Sequence, residues 1–93
     1  MPRRKVFMEY LVVAFRSRTH TVKFWEYLQK ADIKGEIINT PKEAGVGCGL
    51  SVKVSVNKAY MVKRALKFTN LNSYAGSFLV KVDRNGRTVR NAF

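Results

Sequence analysis

VFMEYLVVAFRSRTHTVKFWEYLQKAD, residues 6–32, is the stretch that decides the fold class. Val6 to Phe15 is apolar and rich in β-branched and aromatic side chains, which reads as a central strand covered on both faces. The pattern breaks at Arg16-Ser17. Ser17 is a good helix cap, because its hydroxyl accepts one of the orphan backbone N–H groups of a first turn; Thr19 is the rival. From Arg18 to Asp32 the apolar period becomes helical: Val22, Trp25, Leu28 and Ala31 recur at spacing three, with Phe24 and Tyr27 widening the stripe. Lys23, Glu26, Gln29 and Lys30 take the wet side, and Gly35 is the expected stop. A strand followed directly by an amphipathic helix predicts a β-α unit.

The same signals recur downstream. Glu36 to Thr40 (EIINT) is a short strand ended by Pro41, which cannot donate to a ladder. Pro41 to Gly49 (PKEAGVGCG) is a glycine-rich loop, and Leu50 to Val56 (LSVKVSV) alternates as a strand with one wet face. Asn57 is the expected cap of a helix over about 58–69, with Ala59, Val62, Ala65 and Leu66 inward. Ser77 to Val82 is a strand, Asp83-Arg84-Asn85-Gly86 a hairpin turn, and Arg87 to Asn91 a return strand whose arginines guard a sheet edge. The order β-α-β-β-α-β plus a hairpin predicts an α+β domain of the ferredoxin-like kind: an antiparallel sheet, two helices on one face and a C-terminal β-hairpin extension. Residues 6–93 form that single domain, and residues 1–5 a basic arm.

Composition narrows the function. The 93 residues hold 18 Lys+Arg against 6 Asp+Glu, a formal net charge of +12, which favours an acidic partner, protein or nucleic acid. One cysteine excludes an internal disulfide framework or a multi-thiolate metal site within the chain, and Cys48 with His20 makes too few ligands for a metal. No cofactor is expected: Gly45-x-Gly47-x-Gly49 precedes a strand, whereas nucleotide-binding loops open a helix. No stretch approaches the roughly 18 apolar residues of a membrane span. The N-terminus imitates a signal peptide, but Glu9 interrupts the apolar run and no small-x-small site follows, so a cytoplasmic protein without membrane attachment is expected.

The expected topology has a consequence for Cys48. It carries the end of the first strand, the start of the first helix, the 41–49 loop and the 70–77 loop to one edge of the sheet. Cys48 is thereby brought toward Arg16, Ser17, Arg18, His20 and Lys42. A helix N-terminus carries roughly half a positive charge, arginines add whole ones, and both favour a thiolate. Gly45, Gly47 and Gly49 leave the backbone free to turn sharply around the sulfur. Such a thiolate can attack a disulfide or accept a sulfur atom as a persulfide. A free cysteine is equally often a small buried hydrophobe, and composition does not choose between the two. His20 can serve as a base or simply face solvent, and no acidic neighbour in sequence orients it, which speaks against a complete cysteine hydrolase.

Tyr10 to Ser17 (YLVVAFRS), Lys30-Ala31-Asp32-Ile33, and above all Pro41-Lys42-Glu43 followed by Gly47-Cys48-Gly49-Leu50 resemble the selenium/sulfur carrier-like family of small bacterial proteins. The resemblance covers about residues 9–67. It implies a non-catalytic carrier whose single loop cysteine, here Cys48 flanked by Gly49 and Leu50, accepts sulfur or selenium from a donor protein and passes it to an acceptor. The family tends to have arginine where Lys42 stands, and lysine lacks the bidentate fork. It tends to have glutamate near Trp25, where Glu26 is adjacent.

A rival reading rests on charge. From Lys53 onward nine basic residues face only Asp83, giving +8, against +4 for residues 1–52. Lys58, Lys63, Arg64, Lys67, Arg84, Arg87 and Arg90 can contact phosphates or an acidic partner, with Cys48 structural. An RNA-recognition sheet is disfavoured, because Leu50 to Val56 carries no aromatic on which a base stacks.

Overall fold

A computed structural model describes residues 6–46 and 48–93; the basic arm over 1–5 and Gly47 lie outside the described residues. The elements run β1 (Val6–Phe15), α1 (Arg18–Lys30), β2 (Gly35–Asn39), β3 (Leu50–Ser55), α2 (Ala59–Thr69), β4 (Tyr74–Asp83) and β5 (Gly86–Asn91). Short 3₁₀ turns occupy Lys42–Ala44 and Val56–Lys58. The architecture is α+β: one antiparallel five-stranded sheet in the order β2-β3-β1-β4-β5, with two helices.

β1 is central and pairs with both β3 and β4, so Leu11 to Phe15 are buried whichever face they point to, whereas Met8 and Glu9 earlier in the strand are exposed and the expected cover on both faces holds only for its second half. Its odd residues Val13 and Phe15 join Val52 and Val54 of β3, Phe24 and Leu28 of α1, and Val62 and Ala65 of α2 in one cluster. Both helices therefore cover the same face, and Phe15 meets Phe24 with ring centroids 5.3 Å apart. The even residues Tyr10 and Val12 form a second cluster with Val80, flanked by Ile38, Val82 and Val89.

Among the described residues no α-helix covers that second face, yet Val12 and Val80 are inaccessible to solvent and Phe78 is 7% exposed. The loop after β2 supplies the cover. Pro41 is buried, residues 42–44 touch β5, and the Glu43 carboxylate meets the Arg87 guanidinium at 3.0 Å. β2 and β5 are opposite edges, and Arg87 pairs with Val82 of the second cluster, so the segment straps the sheet from one edge to the other. The strap's own backbone N–H first, and then Arg87, hold the Glu43 carboxyl below its ordinary value. The bond to Glu43 raises the Arg87 guanidinium in turn.

Several local expectations need correcting. α1 buries Thr21, Phe24 and Leu28, while Ala31 is exposed and Val22 and Trp25 are half-buried. The helix is rotated by about one residue from the spacing-three stripe, because Trp25 is spent on a hydrogen bond from its indole N–H to the Gly35 carbonyl at 2.9 Å. Gly35 does not stop the helix. Asp32 does, at φ 64, with the N–H of Ile33 bonded to the Leu28 carbonyl at 2.8 Å and that of Asp32 to Gln29 at 3.1 Å. This is a Schellman closure with aspartate in the glycine's place, fastened by burying both Leu28 and Ile33. Asn57 does not cap α2: it lies within the 3₁₀ turn and its side-chain oxygen accepts from the Ser55 hydroxyl at 2.8 Å. The glycine-rich loop is in part ordered as the 42–44 turn, and β4 starts three residues before Ser77.

Candidate functional site

At the end of β1 the chain turns through Arg16 and enters α1 at Ser17. Ser17 has extended backbone angles, and its hydroxyl accepts the His20 N–H at 3.2 Å, so the expected cap is the observed one. Two loops close on this turn. From one side Ser73 accepts the Arg16 N–H on its carbonyl at 2.8 Å and the Ser17 N–H on its hydroxyl at 3.2 Å. The same hydroxyl lies 2.7 Å from Nδ1 of His20. From the other side the Cys48 N–H donates to the Phe15 carbonyl at 3.1 Å. A bond from the Thr40 N–H to Gly49 at 2.9 Å closes the base of that loop.

Cys48 is thus fixed by its backbone to the last residue of the central strand, while the residue itself is exposed. Its sulfur lies 4.0 Å from the Thr21 hydroxyl and 3.7 Å from the Leu50 carbonyl. Thr21 is buried in the first turns of α1, with its hydroxyl 3.3 Å from the Ser17 carbonyl and 3.4 Å from that of Leu50. The sulfur therefore rests on the start of the helix, with its other side open. Gly49 has φ 101 and Gly45 φ 66, left-handed angles that favour glycine, most strongly at Gly49. Lys42 is exposed on the strap that leads into this loop, and Arg16 and Arg18 are exposed on the turn.

The structure brings together Cys48, Ser17 and the first turns of α1. It does not join His20 to the thiol: the imidazole is half-buried against Ser73, and among the described residues no hydrogen bond links it to the sulfur. Sequence reasoning missed Thr21, although its place four residues after the Ser17 cap puts it over the cap on the same helix face. It missed Ser73 as an individual residue, although the loop containing it was expected at this edge. The basic residues are dispersed. Lys63, Arg64 and Lys67 are exposed on α2, Lys58 precedes it, Arg84 sits at the hairpin tip, Arg90 is exposed on β5, and Arg87 is engaged by Glu43.

A small α+β protein that presents one exposed cysteine from the β2–β3 loop, docked on the end of its central strand, is the class that fold and site define. The chain belongs to the family described as "Putative Se/S carrier protein-like", whose model matches residues 10–74. That span runs from the middle of β1 to the first residue of β4 and includes the strap and Cys48. No curated protein and no solved structure matches the chain.

Proposed function

We propose that this protein carries sulfur or selenium on Cys48, loaded and unloaded by partner proteins rather than turning over a substrate itself. The observation that carries this reading is the exposed cysteine, held by its backbone at the end of β1 with its sulfur beside Thr21 of α1, within the segment that the family covers. The chemistry balances without an added oxidant. The Cys48 thiolate attacks the outer sulfur of a donor cysteine persulfide, the donor's S–S bond breaks, and the donor leaves as a thiolate. Cys48 is left as the persulfide, and attack by an acceptor thiolate on its outer sulfur reverses the step. A selenium atom in the outer position follows the same electron count. Arg16, Arg18 and Lys42 stand at exposed positions around the loop, where their positive charge suits an anionic donor or acceptor group approaching the sulfur. His20, whose Nδ1 lies 2.7 Å from the Ser73 hydroxyl, helps to hold the turn. The strand order supports reading β1 to β4 as a ferredoxin-like unit with β5 as its extension.

Incubation with a cysteine desulfurase and L-cysteine should add the mass of one sulfur atom to the protein, removable by dithiothreitol and absent in Cys48→Ser. A thiol that alkylates only after unfolding, or a sulfur-free protein under those conditions, would overturn the reading.

A further inference from the structure

We propose that the outer face of α2 is a binding surface for single-stranded nucleic acid, with exposed rings for bases and cations between them for phosphates. Tyr60 is 71% exposed and Phe68 75% exposed. They stand eight residues apart on one i, i+4, i+8 row of the helix, about 12 Å along its axis and about 80° around it, with Arg64 midway. Each ring is held by one neighbour. Phe68 stacks on Tyr27 of α1 at 5.6 Å with 29° between the planes, and the Arg64 guanidinium lies 5.9 Å from the Tyr60 ring. Each therefore keeps a defined position before a base arrives. Lys63 and Lys67 are exposed beside them, and α2 contains no carboxylate.

Alternating rings and cations along one line is the pattern that single strands use, because every base has a stacking face and every nucleotide a phosphate. An acidic protein groove would instead take contiguous apolar anchors inside a basic rim. The sheet does not compete for this role: its helix-free face lies under the strap, with Tyr10 only 9% exposed. The surface is independent of the thiol, although α2 ends in the loop whose Ser73 clamps the cysteine-bearing end.

The test is fluorescence anisotropy of labelled dT20 and rU20 over a salt series. Wild type and Cys48→Ser should bind alike, more weakly as salt rises. Replacing Lys63, Arg64 and Lys67 by Ala should reduce the salt slope by about 2, since each single-strand phosphate contact contributes about 0.7. Tyr60→Ala with Phe68→Ala should weaken binding about tenfold or more while leaving that slope unchanged; both side chains are exposed, so folding survives. Lys23→Ala with Lys34→Ala, which removes two exposed cations elsewhere, should have a smaller effect. Absence of binding at low salt, indifference to the two rings, or equal displacement by poly-L-glutamate would each overturn the proposal, the last in favour of an acidic protein partner.

Discussion

The two faces of the sheet are buried by different means. On one face α1 and α2 contribute Phe24, Leu28, Val62 and Ala65 to a continuous core. On the other, an irregular strap of a few residues crosses from β2 to β5 and is tied to the far edge by Glu43 and Arg87. The helix side is held by apolar area, which is insensitive to pH and salt. The strap side shares its hold between apolar contact and a partly exposed ion pair, which is sensitive to both. The strap also leads into the Cys48 loop through Gly45, so the cover that depends on an ion pair is the one adjacent to the cysteine.

Mutations should separate the two faces. Phe24→Ala empties the centre of the helix-side core and should cost about 3–5 kcal/mol in urea unfolding. If it costs no more than a surface substitution, the helices do not provide the main core. Val80→Ala on the strap side should cost about 2 kcal/mol by the same measurement, less than Phe24→Ala because a smaller side chain is removed. The smallest global effect belongs to Arg87→Ala. It should leave the urea midpoint nearly unchanged yet speed amide hydrogen exchange in residues 42–45 and alkylation of Cys48, because it releases the strap locally. Unchanged exchange would mean that the strap is held by apolar contact alone. Acid probes the same tie. The folded state depresses the Glu43 carboxyl, so its contribution is complete above the ordinary carboxylate range and is lost as pH falls through the lower folded value. Protection of the strap amides, after correction for the intrinsic pH dependence of exchange, should therefore fall toward acid in wild type but not in Glu43→Gln.

Much of this architecture can be read without coordinates. Strand and helix periods differ, so β1 and α1 separate cleanly at Ser17, and the Asp83-Arg84-Asn85-Gly86 turn announces β5. The errors fall where a local signal has two solutions. Trp25 looks like a core residue by composition, but its N–H reaches Gly35 and its ring stays half-buried, which moves the stripe onto Phe24. Asp32 adopts a left-handed angle because burial of Ile33 against Leu28 outweighs its modest steric cost, a balance invisible to residue preference. Asn57 has the composition of a cap but not the position.

At the site, the cysteine and its glycines stand out in the sequence, and Gly49 at φ 101 holds an angle that L side chains rarely adopt. The partners do not. Thr21 and Ser73 are unremarkable polar residues whose importance comes from being carried to Cys48 and to the Ser17 turn by long-range strand pairing.

By itself the sequence determined the alternation of strands and helices, the helix cap and the solitary thiol in a turning loop. Those follow from side-chain periodicity and backbone sterics, which act over a few residues. Tertiary structure alone decided that the loop would lie across the helix-free face, that Glu43 would find Arg87, and that the sulfur would rest against α1. These depend on which distant segments share a surface after chain crossings and burial are satisfied together, and no local pattern encodes that.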